Sequence, residues 1–370
     1  MPTDFYTKEL AALKRSGRYR ERRIFDDGVI DLASNDYLGL AHNKVVLEET
    51  IATLNSLESH ASKASMLVNG YTKVHQDFEQ VLCRANGFDA GVILGSGFNA
   101  NIAMIETLVR KGDALFMDEK YHASGVLASK LIDGELHYFS HNCTSELEIL
   151  LKASTAKRNI VAVEGIYSMD GDLVPREIIE LADRYNALLI LDEAHSSGVI
   201  GENLMGILDH YEIAVKPNHI KMGTLGKAYG SFGAYILASE HIIDFLVNRA
   251  KPIIYATAPS LFDTLLGHKA LNYIQDNRVI LRDGIRKRQA IVKDILGVEV
   301  QGLIVPVAIA NNRKVMEIQK ILLDKGVLVG AIRQPTVPLA IIRFIARLGV
   351  SDDAFREYCI QIKAAIDSVK

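Results

Sequence analysis

Two short segments carry residue types that could do chemistry together. Asp192 lies in Leu191-Asp192-Glu193-Ala194-His195, and Lys227 lies in Thr224-Leu225-Gly226-Lys227-Ala228-Tyr229-Gly230. They are 35 positions apart (227 minus 192), and each segment closes a short apolar stretch. A lone amine between two glycines, where backbone can approach a ligand closely, suits an aldehyde held as a Schiff base. Asp192 ends the apolar run 187–191, which puts its carboxylate at the carboxyl end of a buried strand, the edge at which open α/β sheets bind ligands. A carboxylate there can keep a pyridine nitrogen protonated and make the ring an electron sink. The pair reads as two halves of a site for pyridoxal 5'-phosphate (PLP). A lysine in that role must lose its proton readily, and burial moves its pKa in the needed direction. The plain alternative is a surface lysine in a glycine-bounded loop.

Three further elements fit the same site. Gly95-Ser96-Gly97-Phe98-Asn99-Ala100-Asn101 follows a strand-length run and opens the apolar-periodic stretch 102–109; such a turn offers free backbone N–H groups at the positive end of a helix, a place for a phosphate. The same letters fit the dinucleotide fingerprint GxGxxA, so a nicotinamide oxidoreductase competes, with Asp113 or Asp118 as its ribose contact. That reading leaves Lys227 without a role. His122 follows the apolar run 114–117 after a short polar turn, where its ring could lie against a planar cofactor, or it is a satisfied core or surface histidine. His195, three residues after Asp192, could hydrogen-bond the cofactor's phenolic oxygen, while Glu193 reads as structural.

These residues need a scaffold, and the chain supplies one. Apolar runs at 91–94, 114–117, 160–163, 188–191 and 234–237 alternate with amphipathic stretches such as 177–185, which predicts a mainly parallel central sheet flanked by helices. A long, charged, helix-like segment at 260–296 leads to a smaller α+β C-terminal domain with strands near 303–309, 327–329 and 341–345. The expected division is an N-terminal segment 1–45, a large PLP-binding domain 46–290 and a small domain 291–370. With 370 residues and 49% apolar content, the chain exceeds the size at which one core stops growing. A net charge of −3 gives no footprint for nucleic acid. Basic residues do cluster from Lys14 to Arg23, the pattern of a solvated helix face or of a contact with an anionic substrate. Three scattered cysteines without ligand spacing point to a reducing, cytoplasmic setting and no metal. Neither a signal peptide nor a membrane span is expected from the sequence.

Read in order, Asn35-Asp36-Tyr37-Leu38-Gly39-Leu40, Ser96-Gly97-Phe98, residues 164–171 (Glu-Gly-Ile-Tyr-Ser-Met-Asp-Gly), Asp192-Glu193-Ala194-His195 and Thr224-Leu225-Gly226-Lys227 resemble the α-oxoamine synthase family of fold-type I PLP transferases, over roughly residues 15–360. Three stretches, 69–76, 254–257 and 331–338, are most similar to members that condense L-alanine with a pimeloyl thioester, pimeloyl-CoA or pimeloyl-carrier protein, in biotin biosynthesis. The resemblance implies a homodimer with shared active sites. It assigns Lys227 to the cofactor aldehyde, Asp192 to the pyridine nitrogen, His195 to the phenolic oxygen and His122 to the ring face, with Ser168 beside it. Gly97, Phe98 and Thr224 would hold the phosphate, with Thr257 reaching across from a partner subunit. Arg20, Asn35 and Arg343 would recognise carboxylates, Arg347 being the alternative to Arg343. Two stretches depart from the family pattern: Ser62-Lys63-Ala64-Ser65-Met66 replaces a glycine-rich stretch, and the chain is about two residues short after Val337-Pro338. Lys227 would take the Cα proton of alanine, and His122 would act as a general acid at the new carbonyl. Relatives using glycine or serine with another acyl-CoA, and a silent scaffold, are the competing readings.

Overall fold

The computed structural model describes residues 3–16, 18–309 and 311–369. Its centre is a seven-stranded sheet in the order Ala90–Leu94, Ala234–Ala238, His219–Thr224, Leu188–Asp192, Asn159–Glu164, Ala114–Asp118 and Glu135–Phe139. All neighbours pair in parallel except Ala234–Ala238, which runs antiparallel to both of its neighbours. The central strands are aliphatic runs buried on both faces, as in Ala114–Asp118, where all five residues are buried; helices must therefore cover each face. One covering helix, Arg176–Arg184, turns Ile178, Ile179, Leu181 and Ala182 inward, a 3.6-residue stripe facing the sheet.

Five of the seven strands lie where the apolar runs predict them, to within a residue at either end. Two strands have no such run. Glu135–Phe139 is an edge strand with a half-exposed, polar-interrupted sequence. His219–Thr224 carries His219 and Lys221 in its buried interior: His219 Nε2 bonds Asp183 Oδ1 at 2.9 Å, and Lys221 Nζ donates to Asn86 Oδ1 at 2.7 Å and to the Met205 carbonyl. Buried polar groups are tolerated when partnered, and these partners come from distant segments.

The C-terminal unit is a three-stranded antiparallel sheet, Gly330–Ile332, Ile341–Ile345 and Ile304–Ala308, packed against the helix Asn312–Leu323, which in turn packs against the helix Asp352–Val369. The expected strand at 327–329 is split: Val327–Leu328 pairs in parallel with Ile30–Asp31, and the chain re-enters the sheet at Gly330. The helix-like stretch 260–296 is two helices, Leu261–Asp276 and Arg278–Leu296, divided at Asn277. The N-terminal segment starts with the helix Asp4–Arg15 and then joins this unit: Ile345 N–H donates to Leu32 O and Leu348 N–H to Tyr37 O, both at 2.8 Å. Gly39 at φ 73° makes that docking possible, because a Cβ there would lie 2.8 Å from the Gly349 Cα.

Candidate active site

Parallel pairing brings the carboxyl ends of neighbouring strands to one edge, and four strands end there on polar residues: Asp118, Glu164, Asp192 and Thr224. Glu164 and Asp192 are register partners. Beyond this edge lies a cavity of about 170 Å³ whose lining includes Gly97, Phe98, His122, Asp192, His195, Thr224 and Lys227. The structure thus gathers seven of the residues singled out in the sequence. Asn101, Glu164, Ala194 and Met222 complete the lining.

Lys227 Nζ lies 2.7 Å from His195 Nε2. Burial brings its amine down to about 8, helped by Arg343 and opposed by the carboxylates of Asp192 and Glu164. Burial, then the cations Lys227 and Arg343, keep His195 well below the ordinary histidine value, so a neutral imidazole faces the amine. On its other side His195 Nδ1 is 2.5 Å from the Tyr37 hydroxyl, which is 3.3 Å from Asn35 Oδ1. Asn35 Oδ1 accepts from Arg343 Nη2 at 3.1 Å, and Arg343 Nε donates to Ser168 O at 2.8 Å. Arg343 is therefore tied to the site. Arg347 is spent on a buried ion pair with Asp36 at 2.8 Å.

Asp192 Oδ1 accepts from Ala194 N–H at 3.0 Å, and Oδ2 accepts from Asn101 Nδ2 at 2.8 Å. Among the described residues, the Oε1 of Glu164 beside it has no partner, and burial, then the Asp192 charge, raise its carboxyl well above the usual range. His122 is lowered by burial, with Asp192 opposing and Lys227 assisting.

At the other side of the cavity the helix Gly97–Leu108 begins, with Ser96 Oγ capping Asn99 N–H at 3.2 Å. The first N–H groups of a helix have no intrahelical acceptor, and here they belong to Gly97 and Phe98. A Cβ on Gly97 would sit 3.7 Å from the Thr224 Cβ and the Met222 Sδ, so the missing side chain leaves the corner between the helix start and Thr224 open. An anion-binding corner, a carboxylate and a desolvated amine in one cavity match the phosphate, ring nitrogen and aldehyde of PLP. The residues fit the cofactor.

The two glycines flanking Lys227 differ in what surrounds them. Gly226 has only ordinary contacts, while Gly230 at φ 60° packs on the backbone of Leu40 and Ala41, where a Cβ would be 2.4 Å from Ala41 N. Close approach at Gly230 is to the N-terminal segment rather than to a ligand.

Three expected residues lie elsewhere. Ser168 lines a larger neighbouring cavity of about 920 Å³ that it shares with His122, Tyr121, Lys120, Val337 and Pro338. Arg20 is exposed in a groove of about 390 Å³ with Arg18, Arg333 and Thr336. Thr257 is exposed and forms an isolated antiparallel bridge with Ser65. Asn101, Ser124, Tyr37 and Glu164 also join the site, although no motif assigns them a role. A buried Asn in an apolar helix and a Glu ending an apolar strand were the available signals.

A family model described as aminotransferase class I and II matches residues 27–360. The chain is 42% identical over 340 residues to the 8-amino-7-oxononanoate synthase of Helicobacter pylori strain J99, covering 91% of each chain. It is 34% identical over 364 residues to the protein of the same name from Citrifermentans bemidjiense, covering 90% of each. Among solved structures, the 8-amino-7-oxononanoate synthase of Francisella tularensis superposes with a TM-score of 0.75 at 26% identity, covering 93% of this chain and 99% of that one. Serine palmitoyltransferase of S. paucimobilis superposes with a TM-score of 0.88 at 22% identity, covering 100% and 98%, and shares the fold.

Proposed function

The chain belongs to the class I and II aminotransferase family as a PLP-dependent acyltransferase of fold type I, and we propose that it condenses L-alanine with a pimeloyl thioester to give 8-amino-7-oxononanoate, CO2 and free thiol in biotin biosynthesis. The observation that carries the reading is the single cavity in which a desolvated Lys227 meets Asp192, His195 and the open N-terminus of the helix Gly97–Leu108. The relatives at 42% and 34% identity supply the choice of substrates by their name. The division into domains 46–290 and 291–370, and a homodimer with Thr257 acting across it, belong to the same proposal. Among the described residues no helix is long and apolar enough to cross a membrane.

When bound, PLP supplies an electron sink for the negative charge that develops at the amino-acid Cα. Lys227 would hold it through its aldehyde, Asp192 at the ring nitrogen, and Thr224 with the Gly97 and Phe98 N–H groups at the phosphate. Lys227 then has two tasks, and a pKa of about 8 serves both: the free amine is accessible at neutral pH as a nucleophile, and as a base for the Cα proton of alanine. His195 stays neutral, so its Nε2 can accept a hydrogen bond from Lys227 without adding a second charge. Arg343, seated by Asn35 and the Ser168 carbonyl, presents a planar fork to a carboxylate. The 920 Å³ cavity, with Val126, Leu127, Val337 and Leu339 in its wall, is of a size and polarity for an acyl chain. His122 stands between the two cavities, where the acyl carbonyl must meet the alanine Cα.

The test is product analysis. The PLP-loaded protein is incubated with alanine and pimeloyl-CoA or pimeloyl-carrier protein, then with glycine or serine and short or long acyl-CoAs. Mass spectrometry is expected to find 8-amino-7-oxononanoate with alanine. Turnover confined to glycine or serine would overturn the substrate assignment and keep the chemistry; a protein that takes up no PLP would overturn both.

A further inference from the structure

Asn101 and Ser124 have no part in the reaction as described so far, yet they join two residues that do. The hydrogen bonds through them can be given directions from donor chemistry alone. The Tyr121 hydroxyl donates to Asn101 Oδ1 at 2.8 Å. The Asn101 amide has two hydrogens, and its nitrogen lies 2.8 Å from Asp192 Oδ2 and 2.9 Å from Ser124 Oγ. That spends both of its donors and engages its carbonyl oxygen, in a side chain only 1% exposed. Ser124 Oγ, already accepting from Asn101, has one proton left, and His122 Nδ1 lies 2.7 Å away. The Ser124 backbone N–H is directed at the same Nδ1 at 3.3 Å. Two donors converge on one ring nitrogen, so Nδ1 is an acceptor and the ring proton sits on Nε2. Among the described residues Nε2 forms no hydrogen bond, and His122 borders both the cofactor cavity and the larger one.

We propose that Asn101 and Ser124 are positioning residues that tie Asp192 and His122 into one unit and hold His122 as the Nε2–H tautomer, a hydrogen-bond donor toward the acyl carbonyl oxygen. The donor role rests on the proposed acyl transfer; the tautomer does not. In attack on a thioester, negative charge grows on the carbonyl oxygen, and a fixed N–H aimed at it stabilises that charge without reorganisation. A histidine with Nε2 unprotonated would present a lone pair to the same oxygen and repel it. The burial that keeps His122 below the ordinary histidine value acts in the same direction, since a neutral ring has one N–H to place. The same amide that orients His122 fixes Asp192 Oδ2, so the ring-nitrogen partner and the carbonyl donor keep one relative geometry.

The experiment is ring-nitrogen NMR of the PLP-loaded protein labelled with 15N-histidine, His122 being assigned by the signal lost in His122→Asn. The expected wild-type signal is a neutral ring protonated at Nε2. In Ser124→Ala it is expected to move toward a mixture of tautomers, and Ser124→Thr, which keeps the hydroxyl, is expected to restore it. With substrates, Ser124→Ala should lower kcat for the thioester step by about tenfold or more, a part of the roughly 100–1,000-fold lost when a donor to a developing oxyanion is removed outright, while the KM for alanine changes little. Asn101→Ala should move the same signal; Ser124→Ala decides the question if Asn101→Ala fails to fold. A wild-type His122 protonated at Nδ1 or at both nitrogens, or a signal unmoved in Ser124→Ala, would overturn the proposal. Because the signal is read without substrate, an Nε2–H signature in a protein that makes no condensation product would sink the substrate assignment alone.

Discussion

Replacing Lys227 by Met in the cofactor-free protein should raise its stability at pH 7 and lower it at pH 10.5. The amine sits at about 8 in the folded chain against 10.5 for an ordinary lysine, a gap of 2.5 pH units (10.5 minus 8). At about 1.36 kcal/mol per unit, holding that ammonium in the fold costs about 3 kcal/mol. Below pH 8 both folded and unfolded chains keep the proton, so the full cost is present. Between 8 and 10.5 the unfolded chain binds more protons, so wild-type stability rises with pH, and above 10.5 the cost is gone. Met keeps the length of the side chain without the charge, but it loses the 2.7 Å contact to His195 Nε2, about 1 kcal/mol. The variant should therefore be more stable than wild type by about 2 kcal/mol at pH 7 and less stable by about 1 kcal/mol at pH 10.5. Urea unfolding of both proteins at matched concentration across that range reads the difference; groups remote from Lys227 cancel because both chains carry them, while His195, His122 and Glu164 feel the lost charge and contribute to the difference. A difference that does not vary with pH, or a variant less stable at pH 7, would refute the claim that desolvation of Lys227 prepares it as a base.

Three other outcomes can be checked. Arg343→Ala should lower kcat/KM for alanine by about 10–100-fold, the worth of a charge-assisted hydrogen bond to a carboxylate, mostly through KM; an unchanged KM would remove Arg343 from carboxylate recognition. Burial raises Glu79, which accepts from Tyr71 Oη at 2.5 Å and Ile93 N–H at 3.0 Å, to about 7. The folded chain then binds more protons between pH 4.5 and 7 and loses stability as pH rises through that window, so Glu79→Gln should gain up to about 3 kcal/mol over wild type above pH 7 and little at pH 4.5. Thermal melts giving the same gain at both ends would contradict it. For His141, burial opposes protonation, but Asp118 at 3.1 Å and Asp172 at 2.8 Å outweigh it and bring the ring to about 9. Its stabilisation is full below about pH 6.5 and lost as pH rises through 9. His141→Asn should thus be destabilised at pH 6 and approach wild type above pH 9, and a deficit that persists at pH 10 would disprove the ion-pair origin.

The strands were readable where burial on both faces demands unbroken aliphatic runs, as at 160–163 and 188–191. His219–Thr224 was not, because its buried His219 and Lys221 are made tolerable by Asp183, Asn86 and Met205, partners that no local pattern reveals. The residues at the strand ends were readable for a related reason. An Asp that terminates an aliphatic run has no business in a core, so its position points to the ligand edge of the sheet. Glu164 carries the same signal one strand over, ending an aliphatic run as the register partner of Asp192.

Asn101, Ser124 and Tyr37 could not be found that way, because each acts by joining segments far apart in the chain. Tyr37 is the instructive case. Its backbone is hydrogen-bonded to Leu348 in the C-terminal unit, while its hydroxyl meets His195 at the edge of the large sheet. The path from Lys227 to His195, Tyr37, Asn35 and Arg343 therefore crosses from the large sheet to the small one through the N-terminal segment. Arg343 lies on the small sheet and Lys227 in the turn that follows a strand of the large one, and a strap held at Leu32 and Tyr37 on one side and at Gly230 on the other joins the two. Any movement of the C-terminal unit relative to the sheet must stretch or remake the contact at His195. Arg343 and the Lys227 amine are thus linked through one hydroxyl, and Gly230 packs on the same strap that carries it.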